Sequence, residues 1–266
     1  MKIVNFTPGL GNQIFEFIFS EYLRKKYPNH SIYGYYNPKF LNEKHNGLEV
    51  HKMFDIQIPP ANCLSNAMAF FCRASSRFIP CVKTTEMRYS ESAIYFDGWW
   101  QDKKFFLDTV NEINFRIPKL DEINSKLVDL ITSENSVSLH VRRGDYLEPR
   151  FVKQYGGICT LDYYKKAIEI VNSKISNPHF FVFSNDIQWC IDNLPLKEAT
   201  FVSNNIGENS WLDMYLMSIC KMNILANSSF SYWGAMLNKN RNIVIYPGKW
   251  YNDKTPDIFP NNWIAL

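Results

Sequence analysis

The sequence is short of long apolar runs. One of its longest uncharged stretches, Ile56 to Cys72, is interrupted by Pro59, Pro60, Asn62, Ser65 and Asn66. A membrane span needs about 20 predominantly apolar residues, so this stretch does not read as one. Met1-Lys2 leads directly into Ile3-Val4-Asn5-Phe6 and then turn residues, with no apolar leader region. The six cysteines form no C-x-x-C pair and read as free thiols in a reducing compartment, so a cytoplasmic location is expected, extending to the inner face of the cytoplasmic membrane. The five histidines never pair at helical spacing, which argues against a zinc site. No D-x-D pair is present to hold a metal against a nucleotide diphosphate, and no G-x-S-x-G elbow is present for a serine nucleophile. Charge of one sign is also scarce. Lys and Arg total 29, Asp and Glu 26, and the net charge of +3 excludes a dedicated nucleic-acid surface.

What is present is a globular composition: 46% hydrophobic residues and 16% aromatic, in a chain of 266. That length fits one large domain or two small ones. The aromatic excess needs a reason, because aromatic rings fill cores and also make platforms for ring-shaped ligands.

The chain begins as a strand over 2–6, a turn at Thr7-Pro8-Gly9-Leu10-Gly11, a helix over 14–26 and a strand over 31–36. The stretch 40–135 is irregular, with helices expected near 60–75 and 120–132. From 136 the pattern alternates: strand 137–141, helix 161–173, strand 179–183, a helix from 187, strand 199–202, helix 209–222, strand 223–226, helix 230–238, strand 242–246. Alternation of this kind implies a parallel Rossmann-like sheet. The polar cluster Ser133-Glu134-Asn135-Ser136 reads as the boundary between domains 1–135 and 136–266.

Four strand-to-helix loops carry chemistry, three of them in the second half of the chain. Gly9-Leu10-Gly11 lacks the third glycine of a dinucleotide fingerprint, because Ile14 holds that position. It reads either as backbone approaching a phosphate or sugar, with Asn12 and Gln13 adding amides, or as a tight turn needing positive φ. In His140-Val141-Arg142-Arg143-Gly144-Asp145-Tyr146, alternation sends His140 and Arg142 the same way at the carboxyl end of a strand. Ligands bind at that end in open α/β sheets, and guanidinium groups suit phosphate. Asp145 is placed to compensate one arginine and leave the other for an anion. Asp186, after Phe183-Ser184-Asn185, suits either a hydrogen bond to a base or ribose or a helix cap. Asn227-Ser228-Ser229 follows a strand and opens a helix, a ready anion site.

These residues resemble the α1,2-fucosyltransferases of bacterial glycan loci and animals, in five ordered blocks. They are Gly9-Leu10-Gly11-Asn12-Gln13-Ile14-Phe15; Gly98-Trp99-Trp100-Gln101 with Lys104-Phe105-Phe106; the H-x-R-R-x-D-Y signature at 140–146; Phe183-Ser184-Asn185-Asp186 with Trp189; and Asn227 to Ala235. Asn185, where an acid is expected, and Trp99, where Tyr is common, depart from the family pattern. The resemblance implies an α/β, GT-B-like fold: two Rossmann-like domains whose parallel sheets face a central cleft, the first on the acceptor side and the second binding GDP-fucose. It implies inverting, metal-independent transfer of L-fucose to the 2-hydroxyl of a terminal β-galactoside in a surface polysaccharide or O-antigen precursor. GDP-fucose and a galactose-terminated or lipid-linked glycan are then the partners, with no cofactor and no nucleic acid.

By that resemblance Arg142 stabilises the leaving β-phosphate, helped by Arg143, Ser228 and Ser229. His140 and Asp186 contact the nucleoside, and Asp145 orients the arginines. Gly11, Asn12, Gln13 and Asn227 complete the donor side. Trp99, Trp100 and Gln101 are placed at the acceptor, although paired tryptophans equally suit a core. Glu148 is the candidate base, with Asp97 and Asp102 as alternatives. A different donor or linkage, or a glycan-binding module with a degenerate nucleotide site, stand as the competing readings. The basic and aromatic stretch Phe70-Phe71-Cys72-Arg73 and Arg77-Phe78-Ile79 reads as a half-buried helix, with at most peripheral membrane contact.

Overall fold

Strand pairing in the computed structural model is parallel in both of its sheets. The structure describes residues 1–37, 46–106, 109–117 and 119–266. The chain divides into two units, Met1–Arg116 and Ile117–Leu266.

In the first unit, β1 (Lys2–Phe6), β2 (Ile32–Tyr36), β3 (Lys83–Thr84) and β4 (Tyr95–Phe96) form a sheet in the order β2-β1-β4-β3. Helix α1 (Leu10–Lys26) follows β1, and α2 (Cys63–Ser75) lies further along the chain. The apolar stripe beginning at Ile14 marks only part of α1. Gly9 takes φ 98°, which glycine adopts without a Cβ penalty, and its carbonyl accepts from the N–H groups of Asn12 and Gln13. The helix therefore starts at Leu10, and Gly11, Asn12 and Gln13 lie in its first turn rather than in a loop.

The second unit contains β5 (Ser136–Val141), β6 (His179–Ser184), β7 (Ala199–Val202), β8 (Met222–Ile224), β9 (Ile243–Tyr246) and β10 (Ile264–Ala265). Its helices are α3 (Glu122–Ser133), α4 (Pro149–Tyr155), α5 (Leu161–Lys174), α6 (Ile187–Asn193), α7 (Trp211–Ile219) and α8 (Ser229–Met236). The strand order is β10-β9-β8-β5-β6-β7, which from the other edge is the third-second-first-fourth-fifth-sixth order of a doubly wound nucleotide-binding sheet. All six residues of β5 are buried, as a strand covered on both faces requires. Val137, Leu139 and Val141 pack with Tyr164, Ala167, Ile168 and Val171 of α5. On the other face, Phe181 and Phe183 pack with Leu127 and Ile131 of α3 and with Leu216 and Met217 of α7.

That packing corrects the domain boundary. Helix α3 covers the second sheet, so it belongs with that sheet, and the division falls at 116/117. Ser133-Glu134-Asn135 is the connection from α3 into β5. No helix among the described residues is long and apolar enough to cross a membrane.

Candidate active site

The second sheet has a topological switch between β5 and β8. From β5 the chain winds through β6 and β7 on one side, then returns to build β8 on the other. The crevice outside the carboxyl ends of such a strand pair is where open α/β sheets bind ligands. Two of the three loops in the second half of the chain, 141–147 and 225–229, begin at those two strand ends. The loop after β6 lies beside the first of them.

The arginine loop is held from both sides. Tyr146 OH donates to the Asn227 carbonyl at 3.0 Å, tying it to the loop after β8. On the β6 side, the Arg143 N–H donates to Asn185 Oδ1 at 3.0 Å, and Arg143 Nε donates to Asp186 Oδ2 at 3.1 Å. The Arg143 guanidinium lies 4.2 Å from the Trp189 ring centre, a cation–π contact. A Cβ on Gly144 would meet Asn185 Nδ2 at 2.1 Å, so a side chain there would turn the Asn185 amide off the Arg143 N–H.

Arg142 forms an ion pair with Asp145: Nη2 donates to Oδ2 at 3.0 Å, and Nε lies 2.9 Å from Oδ1, which accepts no hydrogen bond among the described residues. The expectation of one compensated and one uncompensated arginine is thus corrected: each arginine has its own carboxylate. The pairing fixes the planes of both guanidinium groups. A guanidinium has five N–H donors, so Arg142 still has Nη1 and one Nη2 proton to offer an anion.

His140 is buried, with its Nδ1 lacking a partner among the described residues, and its ring lies 6.1 Å from Phe230. Burial first, then the Arg142 charge, push its pKa down to about 3, so the imidazole is neutral. Its available chemistry is therefore a neutral hydrogen bond and not an ion pair.

Asp186 accepts from the Trp189 N–H at 3.2 Å as the cap of α6 while holding Arg143. The capping role is the one the structure shows. Asn227 is buried and saturated: its amide donates to the carbonyls of Tyr155 at 3.2 Å and Trp250 at 3.1 Å, and its oxygen accepts from the Cys159 thiol at 3.4 Å. It shapes the loop rather than offering a side chain to a ligand. Ser228 caps α8, its oxygen accepting from the Phe230 N–H at 3.4 Å, which leaves its hydroxyl proton to donate. Ser229 opens α8 and is half-buried. Glu148 is exposed and paired with Arg150 at 2.7 Å.

The first sheet has its own switch, between β1 and β4. Gln13, read as a donor ligand, is fully buried. Its amide nitrogen donates to the Gly47 carbonyl at 2.7 Å, and its oxygen accepts from the N–H groups of Glu49 and Val50 at 2.9 and 3.1 Å. It is a structural bracket. Gly11 is buried, and Asn12 is half-buried one residue further on. Beneath the loop after β1, fully buried Glu16 accepts from the Thr7 N–H at 2.9 Å and the Thr7 hydroxyl at 2.6 Å; burial holds its carboxyl well above the ordinary range. Asp97, just past β4, accepts from Asn5 at 2.9 Å and pairs with Lys83 at 2.6 Å. Asp102 caps the turn Lys103–Phe105 and pairs with Lys104 at 2.6 Å.

The aromatic pair divides. Trp99 is half-buried. Trp100 is 1% exposed, stacked on Phe19 with ring centres 4.0 Å apart and planes 9° apart, with Phe96 and Phe105 packed edge-on. An acceptor sugar has no face of Trp100 to stack on, so the reading as core is the correct one. Gln101 is also buried.

Sequence reasoning missed one titratable network. Asn205, after β7, donates to Asn124 Oδ1 at 3.1 Å and to Asp213 Oδ1 at 2.8 Å. Burial raises the Asp213 pKa from 3.8 to about 7, against the opposing Asn205 hydrogen bond. The native state then binds more protons than the unfolded state between those values, so this group's contribution to stability falls as pH rises from about 4 to about 7 and stays low above. Asp213→Asn is expected to raise stability at pH 8, by at most about 4 kcal/mol at 1.36 kcal/mol per pKa unit. It should also flatten the pH slope. Urea unfolding at pH 5 and pH 8 checks both, and an unchanged slope would remove Asp213 as its source. A pattern of Asn and Asp spread across three elements left no local signal.

Among the described residues, no three His, Cys, Asp or Glu side chains gather as a metal-ligating group.

Two parallel α/β sheets, the second in nucleotide-binding order with a cationic loop at its switch, define the class of a GT-B-like glycosyltransferase. The chain belongs to glycosyl transferase family 11, whose profile matches residues 16–266. An alpha-1,2-colitosyltransferase of Escherichia coli is 30% identical over 294 residues, spanning 99% of this chain and 98% of that protein. The O-antigen biosynthesis glycosyltransferase WbnK of Escherichia coli is 40% identical over 136 residues, 50% of this chain and 45% of that one. Among solved structures, NodZ alpha-1,6-fucosyltransferase soaked with GDP-fucose superposes with a TM-score of 0.54 at 16% identity, covering 88% of this chain and 91% of that one. It shares the fold.

Proposed function

We propose that the chain is an inverting α1,2-fucosyltransferase that moves L-fucose from GDP-fucose to the 2-hydroxyl of a terminal β-galactoside in an O-antigen or related surface-glycan precursor. The observation that carries this reading is the pair of carboxylate-oriented arginines at the switch between β5 and β8. The α1,2 linkage in the name of the full-length Escherichia coli relative supports it, as does the H-x-R-R-x-D-Y signature.

In this reading the second unit holds GDP and the first serves the acceptor. Negative charge grows on the β-phosphate oxygen as the fucosyl bond breaks. Arg142, its plane set by Asp145, meets that charge, and a preorganised donor aimed at developing charge stabilises the transition state more than the ground state. Arg143 takes a second phosphate oxygen, and the hydroxyls of Ser228 and Ser229 donate beside it. Neutral His140 offers a hydrogen bond on the nucleoside side. Inversion requires the acceptor hydroxyl to attack from the face opposite GDP and to lose its proton to a base. Glu148 is the group we assign to that step. Its pair with exposed Arg150 is a surface ion pair, worth about 0–1 kcal/mol, and breaks at little cost.

The Escherichia coli colitosyltransferase favours one second reading. Colitose is fucose without its 3-hydroxyl, so both donors present the same diphosphate to the same arginines. A pocket that hydrogen-bonds the 3-hydroxyl rejects the deoxy sugar by roughly 10⁴-fold or more, whereas a pocket that ignores it accepts both.

The test offers the full chain GDP-fucose and GDP-colitose with a galactoside panel. It measures GDP release and determines the product linkage by NMR. Preferred transfer of fucose to the 2-hydroxyl supports the first reading, and transfer of colitose alone establishes the second. Glycan binding with no turnover of either donor leaves a binding module. Because arginines take the place of a metal in this reading, activity is expected to be unchanged in EDTA. Loss that Mg²⁺ or Mn²⁺ restores would overturn that part.

A further inference from the structure

Helix α2 turns apolar side chains in two directions. Its inner face carries Ala69 and Cys72, both fully buried with Ile3 and Tyr95. Its start is fixed by a capping box between Asn62 and Ser65. On its outer face Leu64 is 63% exposed, Phe70 70% and Phe71 52%, and just past the helix Phe78 is 85% exposed. Positions 64, 67, 71 and 74 recur at helical spacing, so they form one outward stripe. The stripe continues into the exit turn, where the N–H groups of Phe78 and Ile79 donate to the Ser75 carbonyl at 2.9 and 2.8 Å. The helix is half-buried as expected, and its unburied face carries large aromatic rings in solvent.

Along this segment of chain the charge has one sign. Not one Asp or Glu lies between Asp55 and Glu86, while Arg73, Arg77 and Lys83 all do. Lys83 is paired with Asp97, and Arg73 reaches back to the Tyr35 hydroxyl at 3.1 Å. Arg77 is exposed beside Phe78. A helix with large apolar residues outward and basic residues at its edge is the pattern of an element lying in a bilayer interface.

We propose that this face docks the protein on an anionic phospholipid surface, with Leu64, Phe70, Phe71 and Phe78 entering the acyl boundary and Arg77 at the level of the phosphates. Anionic headgroups attract juxtamembrane arginines, which supplies the charge complement. A second copy of the chain is the poorer occupant, because a two-fold contact would set this segment, which has no Asp or Glu and carries Arg77, against itself. The surface lies in the first unit, outside the residues assigned to transfer, and the proposal stands whichever sugar is the donor.

The test is co-sedimentation of the full chain, without donor or acceptor, with vesicles of phosphatidylethanolamine and phosphatidylglycerol and with vesicles of phosphatidylcholine alone. Wild type is expected to pellet with the anionic vesicles. The double variant F71S/F78S should lose binding by roughly tenfold or more, as two buried rings would dictate. Arg77→Glu should remove the preference for anionic lipid while keeping the wild-type melting curve. The proposal is overturned if wild type stays in the supernatant or partitions equally to both lipids. It is also overturned if the variants bind as wild type does, or if analytical ultracentrifugation shows a dimer that F71S/F78S dissolves.

Discussion

Arg142→Ala is expected to cut kcat by 10²–10³-fold, about 2.7–4 kcal/mol of transition-state stabilisation, the loss typical of one preorganised donor. The Arg142 side chain is only 28% exposed, so truncating it also removes packing, and the melting temperature should fall modestly. Activity should fall by far more. The mutation also leaves Asp145 without its cation, and that carboxylate then repels the diphosphate. GDP affinity should fall in Arg142→Ala and partly recover in R142A/D145A. Arg142→Lys should rescue little, because a lysine ammonium has no second nitrogen to hold Asp145 while another meets the phosphate. Steady-state kinetics and GDP titration read all three. A kcat within a few-fold of wild type would take Arg142 out of the transition state.

Trp100→Ala carries the second large effect, and it is one of stability. Replacing a fully buried Trp by Ala costs about 3–5 kcal/mol through lost contacts and a residual cavity. The site adds backbone tension: Trp100 has φ 58°, unusual for a side chain of that size, and is held there by the ring stack on Phe19 and by its N–H donating to Glu86. The unfolding midpoint should drop by roughly 10 °C or more. Trp100→Phe, which keeps an aromatic ring against Phe19, should keep most of the stability and leave the KM for acceptor unchanged. A raised acceptor KM in Trp100→Phe, with wild-type melting, would return Trp100 to the sugar site.

These two residues show what the sequence discloses and what it withholds. Arg142 was legible because alternation along β5 is local: once Val137, Leu139 and Val141 face the core, His140 and Arg142 face together at the strand end. Its neighbour Arg143 was half legible. Its carboxylate, Asp186, lies at the end of a different strand, and only the pairing of β5 with β6 brings the two together. Trp100 was ambiguous because a tryptophan beside a strand end serves a core or a sugar equally well, and the choice depends on where α1 places Phe19.

The domain boundary misled for a related reason. A polar cluster marks a turn, but the unit that owns a helix is decided by which sheet Leu127 and Ile131 cover. Strands β3, β4 and β10 have two residues each, too few for a period. Helix α4 buries none of its residues and so leaves no apolar stripe to read.

The contact between Gly144 and Asn185 has a consequence for anyone recombining sequences of this family. With 2.1 Å between a would-be Cβ and the Asn185 amide, the loop after β6 holds the Arg143 N–H through Asn185 only while residue 144 is glycine. A chimaera that takes 140–147 from one parent and 181–189 from another inherits half of each fit. The two segments therefore travel as one cassette, and a crossover placed between them is where a shuffled library should lose its active members.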